Sequence, residues 1–253
     1  MKPILAVFYR ELMIRVTFLT WFTFDMGVPL LYLLLFGLAF DKALPGGVQM
    51  EGVVLSYNQF FLAGVLAMSC FGSAVNQSYG FFTDRDNGIF YEHLTYPMTR
   101  SQFLLGKVLF QCSMSIVQCV LTLLAGEFIL GVQLDWSVSW LVLPGVILGT
   151  SGWFFFLSLF AFHIRRNDTF NTMINVLYFV LMFICSTFYP LERVPAAMRA
   201  AAYVNPLTWH TDILRYLTLG VGDQSTIVLE LVSFLAFSLI SFRFSVRALQ
   251  NSV

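Results

Sequence analysis

Six apolar runs, each close to the length of a bilayer crossing, set the limits on what this chain can fold into. They lie at about 21–40, 57–79, 103–130, 138–162, 170–189 and 225–246. A membrane-spanning helix needs about 20 predominantly apolar residues, so 253 residues leave room for six spans and their connectors. Only 11% of residues are charged against 58% hydrophobic, and mean hydropathy is +0.78. A soluble domain carries roughly a quarter charged residues, so the charges here could not cover a globular surface. The expected fold is an all-α integral membrane protein, with residues 1–253 as a single transmembrane domain. A net charge of zero argues against a nucleic-acid partner. Cys70, Cys112, Cys119 and Cys185 all fall inside apolar runs and read as small buried hydrophobes.

Residues 2–18 are not a span. Leu5, Phe8, Tyr9, Leu12, Met13 and Val16 follow a helical stripe, with Arg10, Glu11 and Arg15 away from it. Glu11 and Arg15 are spaced for an i, i+4 pair. The pattern predicts an amphipathic helix lying in the membrane interface against lipid. Orientation follows from the basic residues. With the N-terminus inside, ten Lys and Arg are cytoplasmic: Lys2, Arg10, Arg15, Arg85, Arg100, Lys107, Arg165, Arg166, Arg243 and Arg247. Four, Lys42, Arg193, Arg199 and Arg215, are outside. Both termini are therefore expected in the cytoplasm. Residues 190–224 are too long for a simple turn. Pro190, Pro195 and Pro206, with a helical face of Trp209, Ile213, Tyr216 and Leu217, predict two short re-entrant helices on the outer side.

The stretch Gly80 to Lys107, GFFTDRDNGIFYEHLTYPMTRSQFLLGK, concentrates charge between two apolar runs. Residues 81–100 read as a cytoplasmic loop that meets a soluble partner. Asp84 can cap a short helix with Asp86 in its first turn, where the helix dipole favours a carboxylate. Ile89, Phe90 and Leu94 then form an apolar side, Glu92 and His93 a wetter one, and Pro97 ends the helix.

Two motifs carry a family resemblance. One is Asp84-Arg85-Asp86-Asn87-Gly88, followed by His93 to Arg100 (HLTYPMTR) and Leu105-Gly106-Lys107. The other is Asn205-Pro206-Leu207-Thr208-Trp209 with Asp212, Arg215 and Gly220. In these, and in the order of elements over essentially its whole length, the chain resembles the type-2 ABC exporter permeases. These are membrane subunits that export polysaccharides, lipo-oligosaccharides and some drugs, and the branch of nodulation-factor and drug exporters is the most similar. The resemblance implies an N-terminal interfacial helix, six spans, a coupling loop after span two and a re-entrant helix pair before span six. It implies a permease that pairs with a second copy of itself, or with a similar subunit, and docks two ABC ATPase subunits in a bacterial-type cytoplasmic membrane. ATP and Mg would sit on those subunits, and no cofactor is expected on this chain. Asp84, Arg85, Asp86, Gly88 and Glu92, with Arg10 and Arg15, would couple to the ATPase. Asn205, Pro206, Trp209, Asp212 and Arg215 would form the outer gate. The substrate would be an amphipathic, glycan or lipid-linked compound, or a drug.

Asp25 and Glu127 lie within apolar runs, where a carboxylate anchors at an interface, pairs between spans or relays protons. The 28 Phe residues, dense at Phe22, Phe24, Phe36 and Phe40 and at Phe154, Phe155, Phe156, Phe160 and Phe162, suit helix packing, lipid contact or an aromatic-lined path. No phosphate loop ending in Gly-Lys-Ser/Thr occurs, so the chain is not expected to hydrolyse ATP or to be an enzyme. His93, His163 and His210 are too scattered to form a metal cluster. Two other functions were weighed against a permease. A lipid-modifying membrane enzyme would need Glu127, Asp135 and His210 at one depth. A stand-alone proton-coupled carrier would titrate Asp25.

Overall fold

The computed structural model describes residues 2–50, 52–88, 96–134 and 139–251, which are helical along most of their length. Helix α1 (Lys2–Thr17) and helix α2 (Leu19–Ala43) are separated only by Phe18, whose backbone leaves helical geometry (φ −111°, ψ 70°). A small antiparallel hairpin follows, β1 (Val48–Met50) with β2 (Val53–Leu55), in register from Val48 opposite Leu55 to Met50 opposite Val53. Helix α3 (Tyr57–Asp86) starts at a capping box. The Gln59 amide donates to the Ser56 hydroxyl at 3.2 Å, and the Gln59 side chain accepts from the Ser56 amide at 3.0 Å. Thr99 and Gln102 repeat that arrangement at the start of helix α4 (Arg100–Phe128). Each box satisfies two donors that a helix start leaves open.

Helices α5 (Val142–His163) and α6 (Asn167–Ile184) come next. A single 3₁₀ turn (Leu191–Arg193) and two short helices, α7 (Ala196–Tyr203) and α8 (Pro206–Leu219), lead to the last long helix, α9 (Gln224–Asn251). The start of α8 follows from its sequence. The Asn205 side chain accepts from the Leu207 amide at 2.9 Å, and Pro206 occupies the first turn, where a missing N–H costs nothing.

Helix α3 is the axis of the bundle and packs against α2, α4, α5 and α8. Phe60, Phe61, Leu66, Phe71 and Ala74 on it are fully buried. Trp153 of α5 is buried where three helices meet, with ring centroids 4.7 Å from Phe71 of α3 and 5.4 Å from Phe237 of α9. The dense aromatic run of α5 is absorbed by the same packing. Phe155 meets Phe242, Phe156 meets Phe237 and Phe162 meets Phe81, all with centroids within 5.1 Å. Where α5 crosses α8, a Cβ on Gly149 would fall on the buried His210 ring, so only glycine admits that approach. Small residues at helix crossings serve the same end throughout membrane proteins.

Five helical segments among the described residues are long and apolar enough to cross a membrane: Thr23–Ala43, Tyr57–Asp86, Arg100–Phe128, Val142–His163 and Gln224–Gln250. The run expected at 170–189 is α6, which starts at Asn167 and stops at Ile184. Asn167, Asp168 and Asn171 make its start polar, and it is not among those five segments. Exposed side chains are apolar along α2 (Leu31, Leu35, Leu38), α6 (Phe179, Phe183) and α9 (Leu229, Leu239, Ile240). Apolar faces of this extent mark contact with lipid or another protein. The protein is a multi-pass, all-α integral membrane protein.

Gly149→Ala is expected to destabilise the bundle by about 1–3 kcal/mol, the usual cost of overpacking a full core. Gly27→Ala, where nothing lies within 4 Å of the added methyl, should be neutral or slightly stabilising. Thermal unfolding of the two variants in one detergent checks the contrast.

Candidate functional site: an ionic cluster joining three helices

Lys107 lies two turns into α4 and is 1% exposed. A lysine buried in a span needs anions, and the fold supplies two. Its Nζ donates to Glu11 Oε1 at 2.7 Å and to Asp84 Oδ2 at 2.9 Å. Arg10 completes the group, with Nη1 3.0 Å from Glu11 Oε1 and 3.2 Å from Asp84 Oδ2, and Nη2 paired with Asp84 Oδ1. Gln77 donates to Glu11 Oε2 at 3.0 Å. The Lys107 ammonium also lies 5.0 Å from the Phe81 ring centroid. Two cations and two carboxylates from α1, α3 and α4 thus neutralise one another. Burial works against the Glu11 carboxylate, yet Lys107 and Gln77 outweigh it and hold its pKa below the ordinary value.

Close approach of α1 makes the cluster possible. A Cβ on Gly106 would lie 2.6 Å from the Val7 Cβ and 2.9 Å from the Ile4 carbonyl. The adjacent pair Gly106-Lys107 therefore has two functions: glycine admits α1, and lysine binds it. The α1 face seated here includes Val7 and Glu11, while Leu5, Tyr9 and Val16 of the predicted apolar stripe are exposed. One turn further on, Arg15 meets Asp25 of α2 at 2.7 Å, and Asn76 of α3 donates to Asp25 at 2.7 Å.

The residues expected to couple to a partner are distributed as follows. Arg10 and Asp84 belong to the cluster, and Arg15 pairs with Asp25 rather than with Glu11. Asp84 does not cap a new helix. Held by Lys107 and Arg10, it stays in the last turn of α3, which runs on through Asp86 and ends at Asn87 and Gly88 (φ +74°). Arg85 turns to the end of α5, donating to the Arg165 carbonyl at 2.7 Å, with its guanidinium 4.7 Å from the Phe82 ring centroid. Asp86 and Gly88 are exposed. Glu92, with the whole segment 89–95, lies outside the described residues.

The second motif gathers at the other end of the bundle. Asn205 Nδ2 donates to the Leu181 carbonyl at 2.8 Å, tying α8 to α6, and Trp209 Nε1 donates to the Tyr203 carbonyl at 2.7 Å. Arg215 is fully buried, pairs with Asp212, and donates to the Ser186 carbonyl at 2.8 Å. Ser186 in turn donates to Asp212 at 2.7 Å. Asp25 is engaged with Arg15 and Asn76, and Glu127 lies half-buried in the last turn of α4. His210 is stacked on Phe234 at 5.2 Å. Asp135 lies outside the described residues.

Sequence reasoning missed Glu11, Gln77 and Lys107 as a unit. Lys107 carried the available signal, an ionisable residue in an apolar run, which singled out Asp25 and Glu127. Glu11 was misassigned to Arg15, its neighbour along the helix.

The helical membrane bundle thus collects charged clusters at its two ends. The ABC-2 type transporter family matches residues 4–219, which include most of α1 and both motifs except Gly220, and the chain belongs to that family. The match is to the membrane domain of a transporter. Two proteins named "Putative transport permease ycf38" are similar to it. The one from Cyanophora paradoxa is 30% identical over 194 residues, which are 75% of this chain and 64% of the relative. The one from Porphyra purpurea is 25% identical over 190 residues, with the same coverage. The chain thus spans a little under two thirds of the length of these relatives.

Lys107→Met leaves Glu11 buried without its main counter-charge and should cost about 3–5 kcal/mol, as breaking a buried ion pair does. Adding Glu11→Gln restores charge balance around Arg10 and Asp84 and should recover at least half of that loss. Thermal unfolding of the single and double variants reads the difference. The lowered Glu11 pKa also fixes a sign. Its stabilisation is complete above the unfolded carboxylate pKa of about 4.5 and is lost as pH falls through the folded value. Stability should therefore drop in acid below about pH 4, and the midpoint of Glu11→Gln should fall less over that range.

Proposed function

We propose that the chain is the membrane half of an ATP-driven ABC exporter, two copies of which form the translocation path while two ATPase subunits bind ATP and Mg. The observation that carries this is the ionic cluster. It joins α1 and the end of α3, the two elements best placed to meet a cytoplasmic motor, to α4 inside the membrane. A push on α1 or on the Asp86 to Gly88 corner cannot be taken up locally, because Arg10, Glu11, Asp84 and Lys107 move as one charged unit. Arg85 passes the same displacement to the end of α5. Spans one, two and five would tilt in response, opening a route to the opposite face.

In this reading α6 is the fifth of six spans, crossing with help from its packing against α3. Helix α1 lies in the interface with Leu5, Tyr9 and Val16 toward lipid. The end of α3 and its connection to α4, within residues 81–100, form the coupling segment, and 190–224 is a re-entrant pair that gates the outer side through Asn205, Pro206, Trp209, Asp212 and Arg215. The excess of Lys and Arg at the α1 end supports cytoplasmic termini, and this reading takes the membrane to be a bacterial-type inner membrane. The cargo is an amphipathic, glycan or lipid-linked compound, or a drug.

Purification from native membranes in mild detergent should bring down a stoichiometric soluble protein with a phosphate-binding loop; a chain that purifies alone would defeat the reading. In vesicles containing the complex, Arg85→Glu should lower export about ten-fold while membrane insertion and the bound ATPase are retained, the loss expected for one charged contact. Unchanged export would exclude Arg85 from coupling.

A further inference from the structure

The end of the bundle opposite the ionic cluster holds a cleft of about 540 Å³, lined from the α6–α7 connection, α8 and α9. That volume is in the range of small-molecule sites. Charges of both signs line it: Arg199 and Arg215 against Glu192, Asp212 and Glu230. Arg199 is spent on the backbone, donating to the carbonyls of Leu191, Glu192 and Val194. Arg215 is not fully spent. Its two terminal nitrogens serve Asp212 and Ser186, while Nε, buried with the rest of the side chain, has no hydrogen-bond partner. A buried donor of this kind is an exception among native polar groups.

The surroundings specify what would satisfy it. Arginine takes phosphate oxygens better than any neutral acceptor. A simple anion, however, would face three carboxylates against two guanidinium groups, so the ligand needs a positive charge beside its negative one. Trp209 and Tyr203 also line the cleft, and aromatic faces attract an alkylated or primary ammonium. The cleft does not open onto water alone. Leu229 lines it and is 66% exposed, and Val228 and Val232 beside it on α9 are exposed too. A polar cavity at the head of a lipid-facing apolar strip fits an amphiphile lying along the helix.

We propose that this cleft binds the zwitterionic headgroup of a phospholipid, its phosphate on Arg215, its amine among Glu192, Glu230 and Trp209, and its chains along α9. The site is read in the purified chain without any ATPase, so it stands or falls apart from the export reading.

The test is native mass spectrometry of the delipidated chain, titrated with dihexanoyl-phosphatidylethanolamine, dihexanoyl-phosphatidylglycerol and octyl glucoside. The zwitterion should bind about ten-fold more tightly than either of the others, the worth of one charge-assisted bond. Arg215→Gln should weaken both phospholipids and abolish the advantage of the zwitterion over the glucoside. Should that variant fail to fold, Glu192→Gln decides, because Glu192 is exposed; it should cut the preference about three-fold. Equal binding of the anionic lipid or the glucoside overturns the proposal, as does a folded Glu192→Gln variant with its preference intact.

Discussion

An ammonium group inside a helical bundle sets the terms for one end of this protein. Lys107 cannot be left bare in an apolar span, because taking an ion out of water costs several kcal/mol even after relaxation. Its two anions come from elements distant in sequence, Glu11 in the first helix and Asp84 at the end of the third. Meeting that one charge therefore dictates where α1 lies, how far α3 extends and how closely α1 approaches α4. Gly106 and Val7 are the steric side of the same requirement.

The two ends of the bundle solve a common problem in different ways. At the α1 end, charges from three helices cancel almost completely, and Gln77 and the Phe81 ring fill in around them. At the α8 end, Arg215 is neutralised within its own helix by Asp212 and reaches across to a single backbone carbonyl. Between them the bundle is packed with aromatic side chains, centred on Trp153 and Phe71. Electrostatic pairing thus sits at the ends, where helices must keep a fixed relation to their surroundings. Dispersion and close packing hold the middle.

The long helices were legible because apolar length is a local property; α3 and α4 begin at the capping signals of Ser56 and Thr99. The short helices α7 and α8 were legible from Pro195 and Asn205-Pro206, again local chemistry. The end of α3 was not. Charge at Asp84, Arg85 and Asp86 resembles the edge of a membrane and the start of a loop, and the helix continues only because Lys107 and Arg10, far away in sequence, hold Asp84. The cluster was hidden for the same reason. Spacing along one helix offered Arg15 as the partner of Glu11, whereas the pairing that formed crosses between helices. The family motif around Gly106-Lys107 marked the place without giving its physical meaning.

The single non-helical residue between α1 and α2 has a mechanical consequence. With only Phe18 at the corner and the Arg15 to Asp25 bridge bracing it, the two helices form a bent lever with no slack at the elbow. The arm formed by α1 is about 24 Å long at 1.5 Å per residue. A small tilt of that arm becomes a rotation of α2 about the end it shares with the elbow. Because the outer face of α2 is the one left bare and apolar, such a rotation changes which side chains it presents to whatever lies beside it.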